Sequence, residues 1–119
     1  SNAAAGSWKL KNFANLSANA MTFTYKVDGD DVSFNDPTGD SYTAKINGNA
    51  VPYTDGSGIT GTTVAVNRQG KDSLRETYRR DGKVTSWDSL TVAANGKTMT
   101  IKNHNLKNGR SMTSTADKQ

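Results

Sequence analysis

Apolar residues recur along this chain at every second position far more regularly than at every third or fourth. In the run that starts at Met21, Phe23, Tyr25 and Val27 fall on one parity and Thr22, Thr24 and Lys26 on the other, the mark of a strand with one buried face. The same dyad returns in Val32 and Phe34, in Tyr42, Ala44 and Ile46, and in Val64 and Val66. It continues in Leu74 and Tyr78 with Glu76 between them, in Val84, Leu90 and Val92, and in Met99 and Ile101. Strong reversals separate these runs: Asp28-Gly29-Asp30, Asp36-Pro37-Thr38-Gly39, Asn47-Gly48, Gly70-Lys71-Asp72, Asp81-Gly82 and Asn95-Gly96. Asn-Gly and Asp-Gly accept the positive φ angles of two-residue type I′ turns, so successive strands are expected to pair antiparallel. The pattern predicts an all-β chain of about 8–10 short strands. Helical spacing occurs only between Lys11 and Ala20, where Phe13, Leu16 and Ala20 could support a turn or two; a loop crossing one end of the fold fits that segment equally well.

An open sheet of so many short strands would leave unpaired N–H and C=O groups along both edges. Closing the up-and-down meander into a barrel removes the edges, and one wrapped sheet needs only one inner face of side chains. The inner-face candidates are Trp8, Phe23, Tyr25, Val27, Phe34, Tyr42, Ile46, Tyr53, Val66, Tyr78, Leu90 and Ile101. Several of these carry a hydroxyl or an indole N–H that needs a partner.

Composition narrows the chemistry. Leu, Ile, Val and Phe make up only 18 of 119 residues, a fraction typical of chains that do not fold, but the net charge of +4 is too small to hold the chain apart. A folded domain with a thin core is expected over residues 4–119, with Ser1-Asn2-Ala3 read as the remainder of a cleaved expression tag. No window approaches the roughly 18 apolar residues of a membrane-crossing helix, and no stretch has the charged and apolar regions of a leader. The absence of cysteine excludes disulfides, thiolate metal sites and a thiol nucleophile.

The remaining constellations read as ordinary surface. Gly56-Ser57-Gly58-Ile59-Thr60-Gly61 matches the letter of a dinucleotide fingerprint, but a strand follows it where a helix should open. Asp28, Asp30 and Asp31 lack the distal ligands of a calcium loop and read as a solvated turn. The lone His104, placed in a polar reversal, is expected to be a surface imidazole, and no nucleophile elbow accompanies it, so neither a metal site nor enzyme activity is expected. Arg75, Arg79, Arg80 and Lys83 lie near Tyr78 and Trp87, as in single-strand nucleic-acid platforms. Alternation puts Arg75 and Arg79 on the outer face opposite Tyr78, and Glu76 and Asp88 are expected to break their field, so no nucleic-acid partner is expected. Asn15-Leu16-Ser17 is a glycosylation sequon that nothing else in the chain supports.

Gly6-Ser7-Trp8-Lys9-Leu10 resembles the Gly-x-Trp first strand of the calycins, the group of lipocalins and fatty-acid-binding proteins. Glu76-Thr77-Tyr78-Arg79-Arg80-Asp81-Gly82-Lys83-Val84 and the run from Ser89 to Ile101 resemble paired strands of small bacterial lipocalin-like domains of unknown function. The segment Tyr42–Tyr53 and the closing Asp117-Lys118-Gln119 are similar to the same group. The resemblance implies a lipocalin-like barrel, an extracytoplasmic location, and a noncovalently bound small apolar or amphipathic molecule held without a cofactor. On that reading Phe23, Tyr25, Phe34, Tyr42 and Tyr53 line the ligand site. It also implies that Trp8 plugs the closed end under a late-strand arginine, Arg110, through a cation–π contact of about 0.5–2 kcal/mol. The Thr-Asp-Tyr loop of lipocalins and the paired Arg and Tyr of fatty-acid-binding proteins are missing, which leaves the ligand class open. The alternative is a barrel with a filled interior that acts through its surface as a protein-interaction or protease-inhibitor module.

Overall fold

The computed structural model describes residues 3–11 and 22–119. Ten antiparallel strands make up the fold: β1 (Gly6–Leu10), β2 (Thr22–Asp28), β3 (Asp31–Asn35), β4 (Ser41–Lys45), β5 (Val51–Pro52), β6 (Thr62–Gly70), β7 (Ser73–Arg80), β8 (Lys83–Val92), β9 (Thr98–Asn105) and β10 (Ser111–Lys118). The described residues contain no helix, and most of the helical candidate Lys11–Ala20 lies outside them. The order across the sheet is β4-β3-β2-β1-β10-β9-β8-β7-β6-β5. Each strand pairs with its neighbour in sequence except β4 and β5, which stand at the two ends of the order, and β1 meets β10 through the pairs Trp8–Lys118, Lys9–Asp117 and Leu10–Ala116.

The two ends of this sheet approach each other and nearly close it into a barrel. At the seam Ser41 and Thr54 exchange backbone hydrogen bonds of 3.0 and 2.9 Å, and the Gly48 amide donates to the Val66 carbonyl at 2.9 Å. Closure leaves little unpaired edge, as the edge argument requires. The hairpin chemistry is also as expected: Asp81 and Gly82 both have positive φ, 50° and 77°, the signature of a type I′ turn between β7 and β8.

All twelve inner-face candidates lie in the core or pack against it. The end that carries the β2–β3, β4–β5, β6–β7 and β8–β9 turns is filled, with Trp8, Leu74, Met99 and Val32 essentially inaccessible. We call it the lower end; the other four hairpin connections and the ends of β1 and β2 that flank residues 12–21 lie at the upper end.

Two local expectations need correction. Val84 does not share the inner parity of Leu90 and Val92, because the ladder slips between Tyr78–Ser86 and Arg79–Val84 and leaves Thr85 as an extra residue. This bulge puts Val84 beside the outward Arg79, and the Thr85 carbonyl is taken by the Leu106 amide at 3.0 Å. His104 belongs to strand β9 rather than to a reversal. It stacks on Trp87 on the outer wall, centroids 5.5 Å apart, and its Nδ1 pairs with Ser111 Oγ at 2.7 Å.

Candidate functional site

The upper half of the barrel holds a cavity of about 260 Å³. Its walls come from strands that alternate inward: Leu10 of β1, Phe23 and Tyr25 of β2, Phe34 of β3, Tyr78 of β7, Leu90 of β8 and Ile101 of β9. Tyr53, just beyond β5, and Asp36, at the upper end of β3, stand at its rim.

The aromatic rings form one continuous belt around half of the barrel. Phe23 meets Tyr25 edge-on at 5.9 Å, Tyr25 meets Phe34 at 5.2 Å, and Phe34 stacks on Tyr42 at 5.7 Å. Tyr42 then contacts Tyr53 at 6.2 Å, and Tyr53 meets Tyr78 edge-on at 5.4 Å. The structure therefore brings together all five residues expected at a ligand site. Four of them line the cavity, while Tyr42, buried, stands behind Phe34 and Tyr53 and turns its hydroxyl to the floor.

The floor is polar and was not foreseen. Glu76, only 2% exposed, accepts hydrogen bonds at Oε2 from Tyr25 at 2.8 Å and from Tyr42, and Tyr78 reaches Oε1 at 3.4 Å. Across the β7–β8 ladder Glu76 lies directly opposite Asp88, and the two carboxyls hydrogen-bond each other. Asp88 in turn faces Asn103 of β9, whose amide donates to Asp88 Oδ1 at 2.6 Å. Glu76 and Asp88 thus point inward, away from the arginines whose field they were expected to break. The parity that makes Leu74 and Tyr78 internal makes Glu76 internal too.

Burial is the main reason that Glu76 holds its proton up to about pH 8, with the negative charge of Asp88 adding to the effect and the hydroxyls of Tyr42 and Tyr25 opposing it. Burial also raises Asp88 above the usual carboxylate range, against the hydrogen bonds from Asn103 and Glu76. At neutral pH Glu76 is therefore mostly protonated and able to donate to the Asp88 carboxyl opposite it. Burial raises Tyr25, Tyr42, Tyr53 and Tyr78 in the same way, and the carboxylate beside them reinforces it, so their hydroxyls stay protonated as donors.

The rim is tied down by Asp40, whose carboxylate accepts from the Tyr53 hydroxyl at 2.9 Å and from the Gly56 amide at 2.7 Å. The glycine-rich run 56–61 therefore serves as a rim loop between β5 and β6. The Asp28–Asp31 turn is partnered by cations: Lys45 reaches Asp31 at 2.6 Å and Arg68 reaches Asp30 at 3.4 Å.

At the lower end Trp8 is wholly buried, and its indole N–H donates to the Ala4 carbonyl at 2.8 Å. The cation over its ring is Lys118, with Nζ 5.8 Å from the centroid. Arg110, the residue expected there, lies exposed in the turn before β10, eight residues and so about 26 Å of strand from Lys118. A different arginine makes the closer stacking contact: Arg75 covers the outer-wall Trp87 at 4.0 Å.

No helix among the described residues is long and apolar enough to cross a membrane. Compared with known proteins, the chain matches no family model and no curated protein sequence, so the site rests on its own geometry.

Proposed function

We propose that this barrel is a lipocalin-like binding protein that takes a small amphipathic molecule into its upper end, noncovalently and without chemical change. The observation that carries the reading is the aromatic cavity above a polar floor, because such sites gain affinity from ring burial and orientation from a few fixed polar groups. Its size sets the scale of the ligand. About 150 Å³ is enough to enclose benzene and drug-sized molecules need roughly 300 Å³ or more, so 260 Å³ suits one ring with a short polar arm. The filled lower end leaves the upper rim as the way in. An extracytoplasmic location is part of the same reading and rests on the lipocalin resemblance alone.

Titration with 2-phenylethanol, followed by amide chemical shifts, tests the reading. Saturable shifts confined to Phe23, Phe34, Tyr53 and their strand neighbours are expected, and Ile101→Trp, which fills the cavity, should abolish them. Shifts that never saturate, or that persist unchanged in Ile101→Trp, would overturn it. Native mass spectrometry of the protein purified from its own host would then identify the resident molecule.

A further inference from the structure

The charge distribution around the cavity is the reverse of that of the whole chain. The protein carries fifteen Lys and Arg against eleven Asp and Glu, yet three of the eleven acids, Asp36, Glu76 and Asp88, line this one cavity, and no Lys or Arg is among the described residues that do. The carboxyl pair sits at the floor, and Asp36 stands at the mouth. Between them Phe23, Phe34 and Tyr53 present aromatic rings, whose negative faces attract cations more strongly where water is displaced. The floor offers acceptors in excess: the four carboxyl oxygens of Glu76 and Asp88 carry more lone pairs than the donors Tyr25, Tyr42, Tyr78 and Asn103 fill, which leaves some available to further N–H donors.

We propose that the ligand of this cavity is a small organic cation, a protonated amine on an aromatic or aliphatic body, with its ammonium seated on the Glu76–Asp88 pair and its body within the aromatic belt. The proposal rests on the cavity being the binding site and adds the charge class of what enters it. An ammonium supplies the N–H donors that the two carboxyls accept, and its charge is offset by the negative charge on the floor. A carboxylate ligand would meet like charge on the floor and again at Asp36, and a neutral alcohol would forgo the charge-assisted bonds.

Three probes that share a phenylethyl body separate this proposal from the reading beneath it: 2-phenylethylamine as cation, 2-phenylethanol as neutral body, and 3-phenylpropanoate as anion, titrated calorimetrically at pH 7. The amine is expected to bind at least ~10-fold tighter than the alcohol, a difference of about 1.4 kcal/mol, with the propanoate weakest. The double variant Glu76→Gln/Asp88→Asn, which leaves no charge on the floor, should remove most of the amine's advantage while leaving the affinity for the alcohol, and Asp36→Asn at the mouth, made separately so that one misfolded variant does not decide the matter, should reduce that advantage. Equal binding of amine and alcohol, or an advantage that survives both variants, would overturn the cationic ligand and leave the cavity reading intact. Binding of none of the three to the folded protein would overturn both.

Discussion

Tyr25 donates its hydroxyl to Glu76 at 2.8 Å across the full width of the barrel. Their strands, β2 and β7, are five places apart in a ten-strand order, so the bond spans the lumen rather than a sheet ladder. Tyr42, from β4 at the seam, ends on the same carboxylate oxygen. One buried glutamate thereby ties together three strands that share no backbone pairing, and it forms the floor that divides the packed lower half from the open upper half.

Removing one donor should therefore cost more than a surface hydrogen bond. Tyr25→Phe is expected to lose about 1–3 kcal/mol in urea unfolding at pH 7, because the carboxyl left behind is buried with one partner fewer. The ring contacts of Phe23 and Phe34 with the substituted ring persist, which isolates the hydroxyl. An unchanged unfolding midpoint would show that the strut contributes nothing to stability.

The same glutamate sets a pH dependence whose sign is opposite to that of an ordinary salt-bridged acid. Its pKa rises from an ordinary 4.5 in the unfolded chain to about 8 in the fold, mainly through burial. Between those values the native state holds a proton that the unfolded state has lost, so stability falls as pH rises through this window and levels off above it. Asp88, also raised, acts in the same direction. Melting temperatures measured from pH 4.5 to 9 should decline for the native sequence. Glu76→Gln should show a shallower decline and the larger relative gain at pH 9, where it spares the fold a buried charge worth several kcal/mol. A native profile that is flat or rises over this range would contradict the placement of Glu76.

Two-residue alternation made the barrel legible: it placed all twelve inner-face residues and, within them, the aromatic belt. It was silent on the floor for a physical reason. Glu76 occupies an inner-parity position between Leu74 and Tyr78, and Asp88 shares parity with Leu90 and Val92, so both directions were encoded in the spacing. Hydropathy argues the other way, since a carboxylate is seldom buried unless it is paired, and the pairing of Glu76 with Asp88 depends on a strand register that parity alone does not fix. Val84 shows the converse limit. The extra residue at Thr85 inverts the parity of everything before it in β8, and neither glycine nor proline marks the spot. The cation over Trp8 was out of reach for the same reason as the carboxyl pair: Lys118 is its partner across β1–β10, a fact of register rather than of composition.

That register makes the plug testable in three steps of very different size. Trp8→Ala should lose about 3–5 kcal/mol in denaturant unfolding, the usual cost of truncating a buried large aromatic. Lys118→Ala should lose no more than about 0.5–1 kcal/mol, because its ammonium is exposed to water and 5.8 Å from the ring. Arg110→Ala, at the far end of β10, should leave stability within about 0.5 kcal/mol of the native value. A loss above about 1 kcal/mol in Arg110→Ala would restore the arginine to the plug.

The rim offers a sharper test, because a single missing carbon holds it together. A Cβ added to Gly56 would lie 1.8 Å from the Thr38 carbonyl oxygen and 2.7 Å from its carbon, both backbone atoms that cannot rotate aside. The β3–β4 and β5–β6 loops can approach this closely only with glycine there, and the approach allows the Gly56 amide to reach Asp40. Gly56→Ala must therefore push the loops apart. It should cost about 1–3 kcal/mol and loosen the hold of Asp40 on the Tyr53 hydroxyl at the cavity mouth. Gly70→Ala is the matched control: it too lies outside the positive-φ region, and nothing stands within 4 Å of its added Cβ, so stability should stay within about 0.5 kcal/mol of the native value. Amide hydrogen exchange at position 56 reads the difference directly. Faster exchange in Gly56→Ala with ordinary protection in Gly70→Ala places the strain at the rim, whereas equal protection in both would mean that the two loops are not in contact in solution.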